Sequence, residues 1–120
     1  MTKSKDEVIT EFNELVNMNA DELGAWLADP SSKKTGTGVG FRSGQRIKEI
    51  LEKNPTKDPQ AYDDDDINHM RKVVGYNKRH LAQENNLKDT KTIEELKEAK
   101  STLSLKNWGH DPLKELDDTT

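Results

Sequence analysis

DDDDINHMRKVVGYNKRHLAQ, from Asp63 to Gln83, decides how this chain folds. Four carboxylates open it, which suits a helix N-terminus, where unpaired N–H groups leave a partial positive charge. Residues about 100° apart around a helix axis gather Ile67, Met70, Val74 and Leu81 on one side, with Val73 at the edge. Asn68, Lys72 and Arg79 fall opposite. Arg71 and Lys78 flank the apolar stripe on one edge, and His69, Tyr76 and His80 flank it on the other. The pattern predicts a long helix to about Ala82 that is basic wherever it is not buried. Gly75 falls mid-helix on the exposed side, at a propensity cost of about 1 kcal/mol relative to alanine. That points to close approach by another backbone or a ligand, or to a tolerated surface position.

Working outward, Phe12, Leu15 and Val16, then Leu23, Trp26 and Leu27, show helical spacing. Asn19 with Glu22 reads as a capping box between two short helices that meet near Asn17 to Asn19. SSKKTGTGVGFRSG (31–44) reads as a loop, with Ser43 capping a helix whose stripe is Ile47, Ile50 and Leu51 and which Asn54-Pro55 stops. Residues 84–100 alternate charge with few apolar positions and read as a variable charged insertion, either a solvated helix or a mobile segment. Leu103, Leu105 and Trp108 return the chain to the core, and Gly109 with Pro112 beyond it stops the last helix. The expectation is an all-α, small single-domain helical fold over residues 1–120, with disordered ends at 1–8 and 115–120.

The chain has 120 residues, 30% hydrophobic and 35% charged, with a mean hydropathy of -1.05. At that size and polarity one modest core is expected. There is no cysteine, hence no disulfide or thiolate chemistry. MTKSKDEVIT (1–10) lacks an apolar signal core and no long apolar run follows, so no membrane span and an intracellular location, cytoplasm or nucleus, are expected. The net charge of -4 conceals segregation. Between Pro30 and Lys48 there are five basic residues and no acid, and between Ile67 and Leu81 four basic residues and no acid. Acid-rich blocks flank the first, and the second lies between an acid-rich block and a neutral one. Brought together, the basic blocks would make a positive face on an acidic protein.

Gly36, Gly38 and Gly40 give GxGxG, which is neither a P-loop nor a dinucleotide fingerprint. A glycine-rich loop entering a helix at Ser43-Gly44, beside Arg42 and Arg46, could instead seat one phosphate. His69 and His80 lie eleven residues apart, roughly 16 Å along a helix, too far to share one ion. No metal, cofactor or catalytic residue is therefore expected. The hydroxyl residues read as loop positions without a nucleophile elbow, and an enzyme ranks third among the functional readings.

Taken together, VNM and ADELGAWL (16–27), GVGFRSGQRIKEIL (38–51), DDDDINHMRKVVGYNKRHLAQ and STLSLKNWGHDPLK (101–114) resemble a small bacterial and fungal family. It is a domain of unknown function, often labelled DNA-binding. The resemblance covers Phe12 to Lys114 apart from 84–100, and Phe41 departs from it, standing where the family carries histidine. A looser similarity over Leu23 to Leu51 links the chain to helix–extended loop–helix DNA-binding modules of the SAP kind, in which Ser43 to Arg46 would meet phosphates. Residues and resemblance together imply nucleic-acid binding, duplex DNA through its backbone. Arg42, Ser43, Gly44 and Arg46 would contact phosphate, Lys33 and Lys34 would supply looser attraction, and Arg71, Lys72, Tyr76, Lys78 and Arg79 would extend the footprint. The alternative is a protein-interaction adaptor docking an acidic partner. Oligomeric state is not legible.

Overall fold

The computed structural model describes residues 3–33, 38–90 and 100–114, and every element in them is helical. The helices are α1 (Lys5–Leu15), α2 (Ala20–Ala28), a 3-10 turn (Pro30–Lys33), α3 (Val39–Lys53), α4 (Asp64–Thr90) and α5 (Lys100–Asn107). The all-α expectation holds. α1 lies along α4, α2 along α3, and α5 sits where α2, α3 and α4 meet.

Local chemistry sets the helix ends. Ser4 caps α1 by accepting from the Glu7 N–H at 3.2 Å. Asn19 and Glu22 form the expected capping box at the start of α2. At the head of α4, Asp63 accepts from the Asp66 N–H at 2.8 Å while the Asp66 carboxylate accepts from the Asp63 N–H at 3.2 Å. The acidic run is thus a reciprocal cap as well as a complement to the helix dipole. Gly38 opens α3 at φ 88, and Gly109 at φ 82 turns the chain out of α5; both angles favour glycine.

Three sequence expectations are corrected. Of the end expected to be disordered at 1–8, residues 3–8 are ordered: α1 starts at Lys5, and Val8 is 1% exposed against α4, while residues 1 and 2 lie outside the described residues. The long helix does not stop near Ala82 but runs to Thr90, taking the helical alternative in the first part of residues 84–100. Residues 91–99 and 115–120 lie outside the described residues. α3 begins at Val39, so Ser43 is not its cap; it sits inside the helix.

Phe12, Leu23, Ile47, Met70, Val73 and Leu105 form a fully buried centre, each such side chain contributing about 1.5–3 kcal/mol on leaving water. Gly44 lets α3 approach α5 and α2: a Cβ there would stand 2.7 Å from the Asn107 carbonyl oxygen and 2.8 Å from Leu27 Cδ2. A backbone oxygen cannot yield as a side-chain tip can. Gly44→Ala is therefore expected to destabilise by about 2 kcal/mol net, overpacking outweighing the gain in helix propensity, read as a lowered urea midpoint.

Candidate functional site

α3 runs antiparallel to α4, as their ties show. Lys53 meets Asp63 and Asp66 at one end, Arg46 meets Asp66 next, and Ser43 Oγ lies 2.9 Å from His69 Nε2 beyond that. The first turn of α3 therefore reaches the middle of α4. There, Val39, Lys72, Gly75, Tyr76, Arg79 and Trp108 line an open groove of about 640 Å³. Val39 is 55% exposed, a large apolar side chain left in water at the groove's edge.

The groove is backed by stacked rings. Tyr76 lies 4.2 Å from Trp108 on one face and 3.9 Å from His80 on the other, each pair within 12° of parallel. His69 lies parallel to Trp108 on a more distant centroid, 6.2 Å away. With rings over both faces, Tyr76 has only its edge and hydroxyl to offer a ligand. His80 Nδ1 is bonded to the Tyr76 carbonyl at 3.0 Å, which locks that end of the stack. His69, Tyr76 and His80 are thus built into the packing between helices.

Ser43 and His69 are a hydroxyl–imidazole pair that a capping role for Ser43 does not anticipate. Burial pushes the His69 imidazole below its ordinary pKa, and the Arg46 and Lys72 charges add to that against the opposing effect of Ser43. No carboxylate hydrogen-bonds the ring among the described residues, and Ser43 is only 4% exposed. The geometry is that of a neutral tie between α3 and α4 and lacks the orienting acid of a catalytic triad. Among the described residues, no group of three or more His, Asp and Glu comes together to hold a metal ion.

The residues expected to touch phosphate separate into three sets. Ser43 and Gly44 are buried in the interior of α3, so the phosphate seat expected at that junction, and the SAP-type contact with it, are closed off. Arg46 is turned inward: its Nη2 donates to Asp66 at 2.8 Å and its Nη1 lies 3.6 Å from Glu49. Arg71 and Lys78 face α1, where Arg71 donates to the Lys3 carbonyl and Lys78 pairs with Glu11 at 2.8 Å. The two cations from Lys3 and Lys78 hold the Glu11 carboxyl below its usual range. Arg42, Lys72 and Arg79 are exposed and have no ion pair among the described residues. Lys33 is exposed with its Nζ 5.3 Å from the centre of the Phe41 ring. Lys34 lies outside the described residues.

The model of a family described as a protein of unknown function, DUF3140, matches residues 11–106. The chain belongs to the DUF3140 family. Neither curated proteins nor solved structures contain a match. The DUF3140 match spans the last part of α1, all of α2 to α4 and most of α5, including Gly75 and every basic residue around it. No described helix is long and apolar enough to cross a membrane.

Two groove residues of this DUF3140 chain are not evident from its sequence. Val39 sits beside glycines that read as loop, although Val39, Ser43, Ile47 and Ile50 keep one helical face, a signal that extends α3 backward by a turn. Trp108 reads only as a core anchor. Its neighbour Asn107 also carries more than expected: it accepts from Trp26 Nε1 at 2.7 Å and donates to the Ser32 carbonyl at 2.8 Å, wiring α5 to α2 and the 3-10 turn.

Proposed function

We propose that this protein binds duplex DNA through the phosphate backbone, with Arg42, Lys72 and Arg79 as its main contacts and Lys33 as a looser one. One observation carries the reading. In a chain of net charge -4, Lys3, Arg46, Lys48, Lys53, Lys78 and Lys114 each meet a carboxylate, yet the cations at the α3–α4 groove meet none among the described residues. Lys5, Lys57, Arg71 and Lys106 also lack a carboxylate partner among the described residues, Arg71 donating to the Lys3 carbonyl and Lys106 lying over the Trp26 ring, but none of the four lines this groove. Lys72 and Arg79 line it directly, and Arg42 follows Val39 by three positions, which makes the two neighbours on the helix surface. Charge without an internal partner is what attraction of a polyanion requires.

The target is a duplex because the site offers no stacking platform: both faces of Tyr76 are covered and Trp108 is 8% exposed. Contacts of this kind position the protein without reading bases. In fluorescence anisotropy, the Arg42→Ala, Lys72→Ala, Arg79→Ala triple variant should bind unrelated duplexes about equally weakly. The slope of log affinity against log salt should flatten by about 0.9 for each phosphate that is no longer neutralised. Arg46 no longer belongs in this footprint. Absence of wild-type binding at low salt, or unchanged affinity in the triple variant, removes the reading. The exposed Val39 favours a second reading, an adaptor docking an acidic partner with an apolar anchor; competition by plain duplex DNA separates the two.

A further inference from the structure

Gly75 occupies the exposed side of a 27-residue helix, where glycine weakens the helix. Elsewhere in the protein a helical glycine is explained by crowding, as at Gly44. At Gly75 a Cβ would meet nothing within 4 Å among the described residues. Internal packing therefore does not require it, which leaves what comes from outside.

The neighbours of a helical residue on the helix surface are those three and four positions away in each direction. For Gly75 these are Arg71, Lys72, Lys78 and Arg79: all four are cations. The bare backbone is thus the centre of a ring of positive charge. Two clefts meet there. One, on the α1 side, holds Arg71 and Lys78; the other is the groove holding Lys72 and Arg79, and Gly75 lines both. Gly75 is the low point of a saddle over α4, with two cations on each side. On the α1 side Glu11 answers Lys3 and Lys78 together, while Arg71 donates to the Lys3 carbonyl and meets no carboxylate among the described residues.

We infer that one phosphodiester strand crosses α4 over Gly75, with a phosphate seated on the bare helix backbone inside the ring of Arg71, Lys72, Lys78 and Arg79. This rests on the DNA-binding reading and sharpens it. The helix lies across a strand, and Arg71 and Lys78, set apart from the groove by α4, rejoin the footprint from the far side. Absence of a side chain is what admits the close approach, and an extended anion is what can engage both clefts at once.

The test leaves every charge in place. Gly75→Ala puts one methyl group into open space on a helix, so circular dichroism should match wild type and Tm should rise. Affinity for a short duplex should nonetheless fall about tenfold, and further for Gly75→Leu, with a flatter salt slope as the strand is lifted off its cations. Asn68→Ala, on the same exposed face and outside the ring, should leave affinity unchanged. If wild type binds duplex and both folded Gly75 variants bind equally well with the same slope, the saddle is overturned while the DNA reading stands. If wild type binds no duplex, both are overturned together.

Discussion

Trp108→Ala is expected to destabilise the protein by about 3–5 kcal/mol, the usual range for emptying a buried tryptophan site. The ring stacks on Tyr76, lies parallel to His69, and comes close enough to α3 that a Cβ on Gly40 would stand 3.3 Å from its Nε1. Its backbone carbonyl accepts from the buried Asn77 side chain at 3.2 Å. Deleting the ring leaves a void between α3 and α4 that neither helix can close without breaking the Ser43–His69 tie, and it uncovers one face of Tyr76. Trp108→Phe keeps a stacking partner and should cost far less. Trp26, the only other tryptophan, reports unfolding by its fluorescence in both variants. A small domain stable by about 5–15 kcal/mol has little left after such a loss, so the urea midpoint of the alanine variant should fall to near the start of the titration. Equal midpoints for the Phe and Ala variants would show that the ring is not a keystone of this face.

Asp66→Ala is the second large effect, about 3 kcal/mol of lost stability, because a buried carboxylate does several jobs at once. Its side chain is 1% exposed, accepts from Arg46 at 2.8 Å and Lys53 at 2.8 Å, and completes the cap of α4 through the Asp63 N–H. Lys53 is shared with Asp63, whose carboxyl it holds below the usual range. Removing Asp66 therefore breaks two of the ties between α3 and α4, leaving Lys53–Asp63 and Ser43–His69, and frays the start of the longest helix. Asp66→Asn keeps the shape and an acceptor but not the charge, so it should fall between wild type and alanine. Salt screens a buried pair weakly, and the ordering of the three proteins by urea midpoint should persist at high ionic strength. Arg46→Ala should likewise lower stability, which is why its effect on DNA affinity alone would be uninformative.

Much of this architecture is legible in the sequence because it is local. The carboxylate run at Asp63 to Asp66, the Asn19–Glu22 box and Gly109 each mark a helix end by short-range chemistry, and the structure keeps all three. The apolar stripe of α4 is likewise set by spacing. Two departures are also local. Val8 and Ile9 continue the Phe12 stripe backward, and Val39 continues that of Ile47, but each stands beside polar or glycine-rich sequence that outweighs it. The rest is not local. Which cations find acids depends on pairs such as Arg46–Asp66 and Lys78–Glu11, far apart in sequence and joined only by helix packing. A basic residue in a basic block looks available until the fold supplies its counterion. The buried Asn77 and Asn107 follow the same rule, since nothing nearby in sequence distinguishes them from surface amides.

The last described stretch of the chain holds the first. His110 Nδ1 is bonded to the Leu15 carbonyl at 2.6 Å, Asn17 exchanges two hydrogen bonds with Asp111, and Lys114 pairs with Glu22 at 2.6 Å. Each contact closes a loop of more than ninety residues. A chain growing at roughly 5–20 residues per second makes α1 to α4 seconds before Trp108 to Lys114 exist, and contacts of such long range are slow to form. During that interval the faces of α2 and α3 that α5 will cover have no lid. A nascent chain of this protein is therefore committed to its native form only once that stretch emerges, and its exposure to premature association is set by how fast the ribosome delivers it.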